Sequence, residues 1–187
     1  KGANIQVVEN RGRDILPFII TLRHIAKLGY KCCCKIHGKK SVYRNDGTAI
    51  RDNLLSDLLD NDDGIVKLFN MDSNVGLAVS EKSLLNHDFN NMAANTSNVE
   101  TICKIMNVSF RETDFPAGSM YWFAPKALTQ LTSIPDKLFD IERGLTDGAV
   151  AHAVERMISV LARANGFEVA NQRCKIVCGT GEEELDE

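Results

Sequence analysis

Apolar positions along this chain change period several times, and each change predicts an element. Ile5 to Glu9 alternates as a short strand and runs into the turn Asn10-Arg11-Gly12-Arg13-Asp14. Leu16, Ile19, Ile20, Leu22, Ile25 and Ala26 then recur at helical spacing as far as Leu28, with Pro17 in the first turn and Gly29 as the stop. Tyr30 to Ile36 is the next strand, so the opening predicts β-α-β, the unit of parallel sheets. Ala49 to Leu59 predicts an amphipathic helix ended by Asp60 to Gly64, and Ile65 to Asn70 a second helix. Val75 to Val79 reads as a buried strand, His87 to Ser97 as a loop with short helical turns, and Val99 to Met106 as a modest helix.

Downstream, the turn Phe115-Pro116-Ala117-Gly118 leads into the aromatic strand Ser119 to Phe123, and Pro125 to Leu131 starts a helix. Thr146-Asp147-Gly148 is a helix-start signal for the strongest helix of the chain, whose face carries Val150, Val154, Met157, Ile158 and Leu161 until Gly166 ends it. Phe167 to Val169 and Cys174 to Val177 are the final strand candidates. The pattern predicts one α/β domain over residues 1–178 and an acidic tail over 179–187.

Charge changes this picture locally. The 187 residues sum to −3, which argues against general nucleic-acid binding, yet Thr21 to Arg51 holds eight Lys or Arg against a single acid, Asp46. A basic patch on a mildly acidic chain suits a small anion better than a polyanion. Its densest part, Lys35-Ile36-His37-Gly38-Lys39-Lys40-Ser41, follows an apolar strand. It is either a solvated basic turn or a phosphate seat, in which Lys gives a compact charge and the turn gives backbone N–H donors. If the strands of residues 5–9 and 30–36 are parallel neighbours, Arg11, Arg13, Lys35, Lys39 and Lys40 converge at one sheet edge without compensating acids, which favours an anion there.

Other groups admit two readings each. Asp14 either caps the following helix or binds a ligand hydroxyl, while Gly12 permits close backbone approach. The aromatics of Phe115 to Phe123, Trp122 included, suit either the core or a sugar face, and Gly118-Ser119 offers an N–H and a hydroxyl. Asp147 is a helix cap or an ionised general base. His152, Glu155 and Arg156 share one helix face, as a structural network or as site groups. The six cysteines, three of them consecutive at Cys32 to Cys34, read as buried free thiols rather than disulfides or a zinc site. Asp60, Asp62 and Asp63 form the only Asp-x-Asp, yet follow a helix and read as a solvated loop. No apolar run approaches the ~20 residues of a membrane span, and no signal peptide is visible.

Together, Glu9-Asn-Arg-Gly-Arg-Asp-Ile-Leu-Pro-Phe18, residues 35–41, Asn74-Val-Gly-Leu77, Phe115 to Phe123 and Asp147-Gly-Ala-Val-Ala-His-Ala-Val-Glu-Arg156 resemble the rhamnan synthesis protein F family. These are bacterial glycosyltransferase-like proteins of rhamnose-containing cell-wall polysaccharide and O-antigen assembly. The resemblance implies a nucleotide-diphospho-sugar transferase-like mixed sheet flanked by helices. It also implies an N-terminal donor-binding βα half of roughly eighty residues ahead of the Asn10 to Asp14 turn, by fold analogy. This chain starts only a few residues before that turn, so the fold is expected to lack that half.

The same resemblance assigns roles. Asn10, Gly12, Arg13 and Asp14 would contact the donor, and Lys35, His37, Lys39, Lys40 and Ser41 would hold its diphosphate where metal-dependent relatives keep Asp-x-Asp. Gly118, Ser119, Trp122, His152 and Glu155 would lie on the acceptor and sugar side, with Asp147 as the base that deprotonates the acceptor hydroxyl. Fixed cations would neutralise the leaving diphosphate, so no cofactor and no metal is expected, a divalent cation remaining the alternative. The implied partners are a nucleotide-sugar donor such as dTDP-rhamnose and a glycan or lipid-linked glycan acceptor, with no nucleic acid and no transmembrane segment. The implied place is the cytoplasm, at most peripheral to the inner membrane face. Two rivals stand beside this expectation: a non-catalytic glycan- or nucleotide-binding module of the same fold, and a metal-dependent phosphotransfer or hydrolase domain using Asp60, Asp62 and Asp63.

Overall fold

A computed structural model describes residues 2–38, 46–71 and 74–177. Four strands form the main sheet in the order β1 (Cys33–Lys35), β5 (Tyr121–Phe123), β2 (Val75–Val79) and β6 (Glu168–Asn171). β5 runs antiparallel to both β1 and β2, and β2 is parallel to β6, so the sheet is mixed. A second, two-stranded sheet pairs β3 (Leu84–Asn86) with β4 (Asp114–Pro116). The helices α1 (Ile15–Ile25), α2 (Gly47–Leu59), α3 (Asp62–Asn70), α4 (Phe89–Met92), α5 (Thr96–Met106) and α6 (Val150–Ala164) flank these sheets. The expected α/β class with a mixed sheet flanked by helices is what forms.

The expected opening β-α-β does not form. Residues 5–9 make no ladder, and Ile5 and Val7 are 88% and 93% exposed. Two alternating apolar positions are a weak strand signal when no partner strand covers them. The parallel pair is instead β2 with β6, brought together by α6. The expected strand at 174–177 reduces to one bridge between Ala170 and Ile176. Asp62 and Asp63 do not sit in a loop but open α3, where carboxylates favour the helix N-terminus. Pro125–Ser133 is a 3₁₀ segment broken at Leu128.

α1 and α6 form the core around the sheet. Ile19 and Leu22 of α1 are fully buried, as are Val154, Met157, Ile158 and Leu161 of α6. Each such side chain stabilises the fold by roughly 1.5–3 kcal/mol. Phe18 meets Tyr121 and Phe123 edge-on, at 6.1 and 5.2 Å between ring centroids. The described cysteines are free thiols; burial, with the neighbouring Cys32 and Cys33, pushes the Cys34 thiol up to about 12.

Candidate active site

The turn at residues 10–14 is held by the strap 139–142. Asn10 O accepts from Glu142 N at 3.0 Å, Gly12 N donates to Asp140 O at 3.0 Å, and Arg11 Nη1 donates to Phe139 O at 2.8 Å. Gly12 takes φ +64 and lies against Phe139, where a Cβ would meet Cδ1 at 2.7 Å. Arg13 follows at φ +57. Past this left-handed pair the two charged side chains part. Arg13 Nη1 lies 2.7 Å from His152 Nε2 and 2.8 Å from Leu145 O, whereas Asp14 Oδ2 lies 2.5 Å from Lys35 Nζ and 3.7 Å from His37 Nε2.

Lys35, at the end of β1, is buried. Its ammonium donates to Asp14, to Ser119 O at 2.5 Å and to Ser119 Oγ at 3.1 Å, and lies over the rings of Phe18 and Tyr121. His37 Nε2 donates to Gly118 O at 2.8 Å. Gly118 and Ser119 are both left-handed, at φ +90 and +55. A buried serine in that region costs of order 1–2 kcal/mol, which the Lys35 contacts offset. Burial alone would raise the Asp14 carboxyl; Lys35 and then His37 outweigh it and hold it below its ordinary value. Among the described residues, part of the basic cluster is thus compensated in space: Asp14 faces Lys35 and His37, and Glu9 faces Arg11. Lys39, Lys40 and Ser41 lie outside the described residues.

The same turn reaches α6. Gly118 N donates to Glu155 Oε1 at 2.8 Å, and Glu155 Oε2 lies 3.5 Å from Arg156 Nη1. Arg156, 6% exposed, also donates to His152 O and to Asn91 O, and its Nη2 lies 3.2 Å from Asp147 Oδ1. Asn95 Nδ2 donates to the same Asp147 oxygen at 3.0 Å. Asp147 keeps a third of its side-chain surface exposed and does not cap α6; Ala149 takes that position. His152 closes the loop, with Nδ1 3.9 Å from Asp147 Oδ1 and Nε2 against Arg13. Both ring nitrogens face a donor, Arg13 Nη1 at Nε2 and Ala149 N at Nδ1 at 3.1 Å, which disfavours the doubly protonated imidazolium. Burial first, and Arg13 second, hold His152 below its ordinary value.

Residues from four separate stretches therefore close into one circuit. It runs from Asp14 through Lys35, Ser119, Gly118, Glu155, Arg156 and His152 to Arg13, with Asp147 bonded to Arg156 and His37 beside Lys35. Asn10 and Gly12 shape its turn through their backbone. Trp122 is not part of it: between Tyr121 and Phe123 it turns toward α2 and donates Nε1 to Leu58 O at 2.8 Å. Arg156, read from the sequence as a network or site group, belongs to it, and Asn95, which did not stand among the sequence candidates, is bonded to its Asp147. Arg156 was legible one turn after His152, whereas Asn95 lies in an Asn-rich stretch without periodicity. Beside Asp14, Lys35 and His37 opens a cavity of 400 Å³, walled by Phe18 and Thr21 of α1 and by Cys34 and Ile36 at the outer edge of β1.

Comparison with known proteins gives this arrangement a context. The family model described as rhamnan synthesis protein F matches residues 1–167. The chain belongs to the rhamnan synthesis protein F family. Two proteins called WxcX, described as uncharacterized, from Xanthomonas campestris pv. campestris strains B100 and ATCC 33913, are each 34% identical over 172 residues. That alignment covers 89% of this chain and 25% of each relative, so the chain spans about a quarter of their length. No solved structure matches. Every segment of the circuit lies within the residues that the family model covers. Among the described residues, no helix is long and apolar enough to cross a membrane, and no group of three His, Cys, Asp or Glu could hold a metal ion.

Proposed function

We propose that this chain is part of a glycosyltransferase of rhamnan-type polysaccharide synthesis, moving a sugar such as rhamnose from a nucleotide-diphospho donor to a glycan or lipid-linked glycan acceptor. The family supplies the polysaccharide context. The observation that carries the transferase reading is the circuit itself, which ties the 10–14 turn, the end of β1, Gly118-Ser119 and the start of α6 to one another. In a nucleotide-diphospho-sugar transferase-type fold, these are the stretches that meet donor and acceptor.

The division of labour follows from the contacts. Asp14, Lys35 and Ser119 position the donor-side turn and leave the 400 Å³ cavity beside it open. His37 precedes Lys39, Lys40 and Ser41 in the sequence; the two lysines would neutralise the leaving diphosphate in place of a divalent cation, and the Ser41 hydroxyl would donate to it. Asp147, fixed by Asn95 and Arg156 yet partly exposed, would take the proton of the acceptor hydroxyl as that oxygen attacks the sugar carbon.

One observation favours a second reading, a binding module without turnover: Arg156 reaches both oxygens of Asp147 and Asn95 donates to one of them, as in a structural ion pair. Turnover of dTDP-rhamnose with a rhamnan acceptor separates the two. Sugar transfer that falls in Lys39→Ala with Lys40→Ala, through weaker donor binding, supports the transferase. Donor and acceptor binding without transfer supports the module.

A further inference from the structure

A second sizeable cavity lies outside the circuit. It measures 880 Å³ and opens between α5 and residues 107–112, with Met92 and Val99 against Val108 and Phe110 as its apolar part. That volume falls within the range of small-ligand sites. One wall is His87, which is buried and stacks at 8° on Phe115 with Phe110 on its other flank, 5.0 Å away. His87 accepts from Thr113 N at 3.1 Å and donates Nε2–H to Arg156 O at 2.8 Å. Arg156 Nε in turn donates to Asn91 O at 2.6 Å. The segment 87–95 therefore separates this cavity from Asp147 and is bonded to both sides.

The polar groups at the rim select the occupant. Asp88, Glu100 and Glu112 stand there against one cation, Lys104. Three carboxylates against one ammonium repel phosphate, so the cavity is not a second seat for a nucleotide. With the Asn107 amide and the hydroxyls of Thr96 and Ser109 beside them, the rim is rich in hydrogen-bond acceptors. A saccharide is the complementary partner. Its hydroxyls donate to carboxylates, its C–H face lies on an aromatic ring, and the methyl group of a 6-deoxyhexose finds the Met92, Val99 and Val108 surface.

We propose that this cavity is a glycan subsite that binds an uncharged deoxyhexose unit of the polysaccharide. Its place behind segment 87–95 makes it a subsite for a unit away from the reacting end held near Asp147; that relation, and the choice of sugar, rest on the transferase reading and the family.

The test is a titration of the ¹⁵N-labelled chain with an α-linked rhamnose disaccharide, followed by amide shifts. The expected result is a saturable shift confined to residues 87–92, α5 and residues 107–112, unaffected by added NaCl. Phe110→Ala, and separately Glu112→Ala at an exposed position, each weaken it about tenfold, as the loss of one ring or charged contact does. No saturable shift, a shift elsewhere, or a shift that both variants leave unchanged overturns the proposal. Binding of an alkylammonium probe in preference to the disaccharide, lost on adding salt, reassigns the cavity to organic cations and overturns it as well. No donor or turnover enters this measurement, so its failure is distinct from failure of the transferase reading.

Discussion

Arg13 Nη1 lies 2.7 Å from His152 Nε2, a contact that joins residues 139 positions apart and requires the imidazole to be neutral. Burial and Arg13 both hold His152 below its ordinary value of 6.5, and burial does the same to His87 against the opposing hydrogen bond to Arg156 O. As pH falls, the unfolded chain takes up these protons before the folded chain does. The sign follows: the stabilisation is complete above about pH 6.5 and is lost as pH drops through the lower folded values. Urea midpoints measured between about pH 8 and 5 should fall toward acid, and His152→Gln should fall less steeply. An identical slope in that variant contradicts the contact.

Lys35 and Asp14 form a buried clamp, with side-chain exposures of 6% and 23%. Asp14→Ala strands a buried ammonium and is expected to cost about 3–5 kcal/mol. Lys35→Met costs somewhat less, because Asp14 still reaches solvent. The double variant Asp14→Ala with Lys35→Met should be markedly more stable than the sum of the two losses. Additive losses in chemical denaturation would mean that the pair is not coupled.

Gly12→Ala places a methyl group against Phe139 in a left-handed turn, and both strain and overpacking oppose it. The expected loss is roughly 2–4 kcal/mol in unfolding free energy. A loss within about 0.5 kcal/mol, the size of an ordinary surface change, would show that the turn does not hold this conformation.

Cys34, raised to about 12, and its raised neighbours Cys32 and Cys33 hold almost no thiolate at neutral pH. Alkylation by iodoacetamide at pH 7 should be slow at these positions in the folded chain and rapid in urea. Fast modification of folded Cys34, read by mass spectrometry, would contradict its surroundings.

Much of the site was legible because chemistry and spacing coincide there. Asn10 to Asp14 joins a turn to a helix, and Asp147, His152 and Glu155 fall on or beside the one strongly periodic helix. What the chain order conceals is pairing. Lys35 looked like one of an uncompensated group of cations, yet its partner Asp14 lies 21 positions upstream. The strand at residues 5–9 misled because alternation over a few residues carries no information about a partner. β3 was invisible, being three residues long and stabilised only by pairing with β4. Trp122 drew attention as the single Trp, while strand alternation sets it apart from Tyr121 and Phe123.

Asp147 is the centre of the account, and Asp147→Asn is its most direct test. This variant keeps the volume and the contact with Arg156 Nη2 but removes the basic carboxylate. In an assay of rhamnose transfer from dTDP-rhamnose to a rhamnan acceptor, with donor binding followed in parallel, turnover should fall about 10²–10⁴-fold while donor affinity is unchanged. Unchanged turnover would contradict the account and leave Asp147 as a structural partner of Arg156 alone.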